Sequence, residues 1–289
     1  MTIFNLGSIN VDYFYHLPHL VTAGETIAAN DLTIGLGGKG VNQSIAIGRA
    51  GGDVWHIGAV GKANADYCDL ISEAGVKTEF IELLDMPSGH AIVMVEAVSA
   101  ENQIVIMPAA NHAITDSQVT SALRQANAGD WALTQNETLV GPDFLRRAKQ
   151  AGMKICYSAA PFVAETTAEL LPLADLLVVN EGEAASLASL LGKDKTEFGV
   201  QHLVITYGAR GAEYIGSAGQ FHVESPKVTP VNTTGAGDTY LGYLLASIDA
   251  GEEMHAAMEK AAKAAAIQVT RDGAAEAIPL ASELDMCLG

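Results

Sequence analysis

The sequence predicts an α/β protein: a mostly parallel, doubly wound sheet flanked by helices, carrying a small β-sheet lid. Three observations predict it. Short apolar, β-branched runs alternate with amphipathic segments of helical period along most of the chain, which requires parallel strands covered on both faces. Two stretches, about 11–36 and 88–108, break that rhythm, because each is strand-like and neither leads at once into a helix. Near the C-terminus a glycine-rich turn, Asn232-Thr233-Thr234-Gly235-Ala236-Gly237-Asp238-Thr239, feeds straight into a helical pattern. At 289 residues with 49% hydrophobic content, the chain is long enough to bury a large core in a single domain spanning 1–289.

The strand signals run in order from Ile3-Phe4-Asn5-Leu6 through Val54 to Val60, Trp131 to Thr134, Lys154 to Tyr157, Leu176 to Val179 and Leu203 to Thr206. Helical patterns lie between them, from Gly40 to Ala50, Asn64 to Ala74, Thr115 to Ala126, Pro142 to Ala151 and Glu181 to Leu190. Thr115 and Gln118 have capping-box spacing, and Pro142 suits a first helical turn. In the lid, Ile92-Val93-Met94-Val95-Glu96 alternates with period two. Gly216-Ser217-Ala218-Gly219 reads as a hairpin loop between Glu213-Tyr214-Ile215 and Gln220-Phe221-His222-Val223. Val228-Thr229-Pro230-Val231 reads as a short strand end ahead of the glycine-rich turn, and Met254 to Thr270 as an alanine-rich helix.

The net charge of −18 argues against nucleic acid or an anionic membrane as the main partner, since both need a basic face. Cys68, Cys156 and Cys287 are odd in number and far apart, so they form neither a disulfide framework nor a ligand cluster. His16 and His19 lack nearby thiols for a zinc site. With no basic leader and no long apolar run at the start, the reading is a cytoplasmic protein.

Parallel sheets bind ligands at the carboxyl ends of their strands, so polar residues there deserve the closest reading. In the glycine-rich turn, the amides around Gly235, Ala236 and Gly237 can point one way, and the positive end of the following helix adds to them. Asp238 beside such an anion hole suits removal of a proton from a hydroxyl while charge develops on a neighbouring phosphate. The alternative is a helix start in which Asp238 only complements the dipole. Gly35-Leu36-Gly37-Gly38-Lys39-Gly40 fits the dinucleotide spacing on paper, but no strong strand precedes it. It is not a P-loop, because Gly40 follows Lys39 where a hydroxyl residue is required. Close approach of backbone to a polyhydroxyl ligand explains it better, with Asn42 supplying donor and acceptor. Asn10 and Asp12, past the first strand, alternate onto one side; the alternative is an Asx turn. Gln135-Asn136-Glu137 ends another strand. Asn180 and Glu183 have the spacing of a capping box, and the same groups suit water-mediated contact with Mg²⁺ near phosphates. Thr206-Tyr207-Gly208-Ala209-Arg210-Gly211 is a strand-to-turn segment suited to nucleotide phosphate or ribose, or simply a hairpin turn.

Taken in order, these motifs resemble the ribokinase-like (phosphofructokinase-B-type) carbohydrate kinases over nearly the whole chain. The resemblance rests on Gly37-Gly38-Lys39-Gly40-Val41-Asn42-Gln43 together with Thr233-Thr234-Gly235-Ala236-Gly237-Asp238-Thr239. It implies a magnesium- and ATP-dependent kinase acting on a sugar. Asp238 would be the base, and the Gly235, Ala236 and Gly237 amides would stabilise the transferring phosphoryl group. Asn10, Asp12, Gly38, Lys39, Asn42 and Glu137 would contact the sugar. Asn180, Thr206, Gly208 and Gly211 would serve the nucleotide, and Glu183 would reach Mg²⁺ through water. Such a reaction depends mainly on positioning and electrostatics, which this division of labour supplies. The resemblance also implies a monovalent-cation site at Asn232, Thr234 and Gly273. Here Asn232 replaces a carboxylate and Ala277 a hydroxyl, so the expectation is weak or absent potassium dependence. Ser158-Ala159-Ala160-Pro161 stands where Asn-Pro-x-Pro is common in the family.

From Val11 to Leu36 and from Ser88 to His112 there is no Lys or Arg, which favours a neutral sugar over a sugar phosphate or acid. Ribose comes first by resemblance. Tyr13, Phe14 and Tyr15 are bulky for a ribose lid, so a nucleoside kinase is the second reading. Lid packing or a dimer contact also accounts for those rings. Two other classes are a dinucleotide-dependent oxidoreductase built on Gly35 to Gly40 and a sugar-binding regulator without catalysis. The intact Asp238 and Gly235-Ala236-Gly237 speak against the regulator. Exposed apolar lid strands make a homodimer plausible.

Overall fold

The structure is a computed structural model, which describes residues 1–96 and 102–284. Residues 97–101 of the second lid segment and Cys287 lie outside the described residues. The chain opens with β1 (Thr2–Leu6), β2 (Asn10–Leu17), β3 (Asp31–Gly37), α1 (Lys39–Arg49), β4 (Asp53–Gly61), α2 (Tyr67–Glu73) and β5 (Val76–Leu84). It continues through β6 (Gly89–Glu96), β7 (Asn102–Met107), α3 (Asp116–Leu123), β8 (Trp131–Thr134), α4 (Gly141–Gln150), β9 (Lys154–Ser158), α5 (Ala164–Leu170) and β10 (Leu176–Asn180). It closes with α6 (Glu181–Leu191), β11 (His202–Thr206), β12 (Ala212–Gly216), β13 (Gly219–Val223), α7 (Ala236–Asp249) and α8 (Met254–Gln268).

Nine strands form the large sheet, in the order β13-β12-β11-β10-β9-β8-β1-β4-β5. From β11 to β5 the pairing is parallel, and β12 and β13 are added as an antiparallel hairpin. Both faces are covered, as near-continuous apolar strands require. Ile3, Val54, Leu133, Leu176 and Val178 join α1, α2, α7 and α8 in one core, while Phe4, Leu6, Leu177 and Val179 join α3 to α6 in the other. Neighbours along each strand thus point into opposite cores. Thr115 and Gln118 make the expected capping box at α3, and Pro142 sits in the first turn of α4.

The second sheet has the order β3-β2-β6-β7. Asn10 pairs with Gly37 and Gly89, and Asp12 with Gly35 and Ala91. Because side chains alternate, Asn10, Asp12 and Phe14 share one face with Ala91 and Val93. Val11, Tyr13, Tyr15, His90 and Ile92 occupy the other face and line an open cleft of about 650 Å³ there.

Several expectations need correction. Residues 228–231 form no strand; they run as irregular backbone. The helix expected from Asn64 to Ala74 is a 3₁₀ turn at Lys62–Asn64 followed by the shorter α2. A strand does precede Gly38: β3 of the small sheet runs through Gly35 and Gly37. Asn10 and Asp12 begin β2 rather than ending β1. Strand β5 and helix α5 add to the predicted set.

Candidate active site

The carboxyl ends of β1, β8, β9, β10 and β11 place Ser8, Gln135, Ser158, Asn180 and Thr206 along one edge of the large sheet. Helices α1 and α7 start over that edge. Helix α1 lacks a side-chain cap of its own. Glu137, from the loop after β8, instead accepts from the Lys39 amide at 3.1 Å, and Ser8 Oγ accepts from Gly40 at 3.3 Å and donates to Glu137. One Glu137 oxygen thereby anchors the glycine-rich loop where α1 begins.

Two glycines in the small sheet make room for the polar pair. A Cβ on Gly37 would lie 1.9 Å from Asp12 Oδ2, and one on Gly89 would lie 2.5 Å from Asn10 Oδ1. Asn10 Oδ1 accepts from Asn111 Nδ2 at 2.7 Å, which turns its own amide donors the other way. Asn111 also accepts from the Ile9 amide at 2.9 Å, so this residue, absent from the sequence reading, orients Asn10. Asp12 Oδ1 and Asn42 Oδ1 are buried and unpartnered within the protein, which is costly unless a ligand supplies donors.

Asp238 lies in the first turn of α7, half-buried. Its Oδ2 accepts from Asn42 Nδ2 at 3.2 Å and its Oδ1 from Gln43 Nε2 at 2.8 Å. Burial raises its pKa, opposed by Lys39 and by those two amides. Burial likewise pushes Asp12 up to about 7, helped by Glu137, Glu276 and Asp238 and opposed by Lys39. Lys39 is held above its usual range, chiefly by Asp238 and further by Glu137, Glu183 and Asp12. The site is a ring of carboxylates around one ammonium.

Gln43 belongs to a buried polar chain that the sequence reading missed. Its second amide hydrogen reaches Ser158 Oγ at 3.2 Å, and its Oε1 accepts from Gln135 Nε2 at 2.7 Å. Gln135 also donates to Asn5 Oδ1 at 2.9 Å, and Asn5 donates to Ser44 Oγ and Gly40 O, each at 2.8 Å. Ser44 Oγ lies 2.9 Å from His56 Nδ1, and burial pushes His56 down to about 4, so its ring is neutral. The chain fixes the sense of each amide, so that Gln43 presents N–H rather than C=O to Asp238. Ser158, unexplained in the sequence, finds its place here.

Gly235 caps α7 in a left-handed conformation (φ 76°) that favours glycine. The Ala236 amide closes a turn on Thr233 O at 3.3 Å, while the amides of Gly235 and Gly237 make no hydrogen bond to the rest of the described chain. Ala236 and Gly237 border a cleft of about 470 Å³ together with Thr206, Gly208 and Gly211, and its far wall is Ala262, Ala265 and Ala266 of α8. Asn180 and Glu183 form a reciprocal capping box on α6 (2.7 and 2.9 Å), so each uses one oxygen locally. Burial raises the Glu183 pKa, and Lys39 opposes it, which places this carboxylate toward the same ring. Among the described residues no cluster of three or more His, Cys, Asp or Glu stands ready to hold a metal. Asn232, Thr234 and Gly273 meet beside the glycine-rich turn.

This arrangement joins a buried carboxylate, two unpartnered buried oxygens and two free backbone amides beside a large cleft. Residues 2–281 match the model of the pfkB family carbohydrate kinases. The ribokinase of Haemophilus influenzae is 30% identical, with 98% of this chain and 96% of that protein covered. The solved ribokinase of Cryptococcus neoformans superposes with a TM-score of 0.87 at 28% identity, covering 99% of this chain and 98% of that one. A nucleoside kinase of Burkholderia thailandensis shares the fold at a TM-score of 0.87 and 22% identity, with 99% and 95% covered. The chain belongs to the pfkB family and is a carbohydrate kinase, acting on a sugar or nucleoside with a nucleotide as its second small-molecule partner.

Proposed function

We propose that this kinase moves the terminal phosphoryl group of ATP to a hydroxyl of a neutral sugar, ribose first, with Asp238 as general base. One observation carries the reading. The Asp238 carboxylate is bonded to Asn42, whose own oxygen is unpartnered like that of Asp12, and it belongs to the same helix start as the free amides of Gly235 and Gly237. Asn10, Asp12, Gly38, Lys39, Asn42 and the second oxygen of Glu137 would bind the sugar. A hydroxyl so held would give its proton to Asp238 as its oxygen attacks the terminal phosphorus and the bond to the leaving ADP breaks, while the two glycine amides meet the growing charge. The alanine wall of α8 gives the base of ATP a flat apolar seat, and Thr206, Gly208, Gly211 and Asn180 border its ribose and phosphates. Glu183 would hold Mg²⁺ through water, and the ion would supply charge neutralisation to the phosphates. The small sheet acts as a lid, and the whole chain acts as one domain.

A nucleoside is the second reading. Phe14 is the aromatic residue that β2 turns toward Asn10 and Asp12, while Tyr13 and Tyr15 face away; a pocket with one ring suits a bare sugar better. The deciding experiment is an ATP-consumption screen over pentoses, hexoses and nucleosides, run beside Asp238→Ala. Ribose is expected to give the highest kcat/KM, and Asp238→Ala to lose on the order of a hundredfold or more in kcat while still binding sugar. Near-normal turnover in that variant would remove Asp238 as the base.

A further inference from the structure

Where the family resemblance puts a monovalent cation, this chain puts an amide. Asn232 is fully engaged: its Oδ1 accepts from the Thr234 amide at 2.9 Å and its Nδ2 donates to Asp272 Oδ1 at 3.0 Å. Asp272 Oδ1 also accepts from Gly273 N at 3.0 Å. Behind them sits Gln268, the last residue of α8, 0% exposed. Its Nε2 donates to Thr234 O at 3.1 Å and to Ala274 O at 3.0 Å, and its Oε1 lies 3.4 Å from the Thr239 hydroxyl. An alkali cation needs oxygens converging on it. Here two carbonyls from the two loops already converge on an NH₂ group, so the residues present do not fit a cation.

The bond to Thr234 O matters for chemistry because a trans peptide points its C=O and N–H in opposite directions. Tying the Thr234 carbonyl back to Gln268 turns the next N–H, that of Gly235, away from the helix pair and toward the anion-hole side. A Cβ on Gly235 would sit 3.4 Å from Gln268 Nε2, so the turn lies directly against the amide. We propose that Gln268 holds the anion-hole turn in the role a monovalent cation would otherwise fill, making phosphoryl transfer by this kinase indifferent to potassium. Gln268 is a positioning residue, since it acts through the Thr234–Gly235 peptide, and the inference rests on the kinase reading above.

The test uses the full chain, the best sugar from the screen, and KCl against tetramethylammonium chloride at equal ionic strength. Wild-type kcat is expected to be the same in both salts. Gln268→Glu keeps the shape but sets a carboxyl group against two carbonyls; once it ionises, the three oxygens repel unless a cation sits among them. Its kcat is expected to fall at least ~10-fold in tetramethylammonium and to recover in KCl, with the sugar KM unchanged. KCl is also expected to raise its melting temperature while leaving wild type alone, a readout that serves even if the variant is inactive. A severalfold rise of wild-type kcat in KCl would overturn the inference, as would wild-type turnover by Gln268→Glu without alkali cation. No turnover by wild type in either salt on any acceptor would instead remove the kinase assignment.

Discussion

At the scale of single residues, the site is built from groups whose neighbours decide their protonation. Asp238 faces Lys39, Asn42 and Gln43 from α1, Glu137 from the loop after β8 and Asp12 from β2. The Gln43 amide favours the ionised carboxylate, so its loss raises the pKa that burial has already raised. Gln43→Met is expected to move the acid limb of kcat/KM up by about one pH unit. Gln135→Met, which never touches Asp238, should move it the same way, because Gln43 is then free to turn its carbonyl to the acid. The two shifts should not add in the double variant, as a shared path requires. An acid limb that stays in place in Gln43→Met would show that this amide does not tune the base. Asp12 carries a second pH effect. The folded chain keeps its proton up to about pH 7, while the unfolded chain loses it near 3.8, so the native state binds more protons in between. Stability therefore falls as pH rises through that window, by up to ~1.4 kcal/mol per unit. Asp12→Asn should melt at a higher temperature than wild type at pH 7 but not at pH 4, and should bind sugar more weakly. Equal melting temperatures at pH 7 would sink the stability half of this prediction.

At the scale of elements, the position of Asp238 depends on how α7 lies on α1. Gly242 is the contact: a Cβ there would fall 2.4 Å from Ala46 Cβ and 2.9 Å from the Gln43 carbonyl oxygen. Gly242→Ala must push the helices apart, which costs about 1–3 kcal/mol. It also lengthens the Asn42 and Gln43 bonds to Asp238, so kcat should fall together with the denaturation midpoint. Full activity with unchanged stability would mean that the two helices are not held at this distance. Nothing in the sequence marks Gly242, because a glycine inside a helical pattern reads only as a weak spot. The elements that were legible are the ones with strong period: β8 matches its predicted bounds, and α6 extends one residue past them. Strand β5 escaped because it is the sheet edge, where Lys77, Glu79 and Glu82 interrupt the apolar run. Helix α5 escaped because seven residues span too few turns to show a stripe. The site divides in the same way. Asp238 and its glycines are contiguous and were readable, whereas Gln43, Gln135, Asn5 and His56 take meaning only from partners far along the chain. Gln43 and Asp238 are 195 positions apart. Polar residues inside an apolar pattern carry no local sign of what they will bond.

At the scale of the whole molecule, the two edge strands of the small sheet carry apolar side chains that the rest of the described chain leaves exposed. Ile34, Ile104, Val105 and Met107 are 54%, 53%, 58% and 55% exposed, and Leu32 and Ile106 lie beside them on β3 and β7. These are the two edge strands of that sheet, where unpaired backbone and apolar side chains together invite a partner. Among the described residues of the small sheet, the edge strands carry one charged residue, Asp31 at the start of β3, so little like-charge repulsion along them opposes a second copy. Closed two-fold pairing is the commonest way for identical chains to bury such a surface. The chain is therefore expected to sediment as a dimer through its lids. Ile104 pairs with Val93, which packs on Phe14 on the face that carries Asn10 and Asp12, so an event at the edge reaches those residues through one side chain. Ile104→Glu should yield a monomer with a raised sugar KM and an unchanged ATP KM, since the cleft against α8 is remote from the lid. A variant that still sediments as a dimer would place the interface elsewhere, and a monomer with normal sugar KM would show that each lid closes its own site unaided.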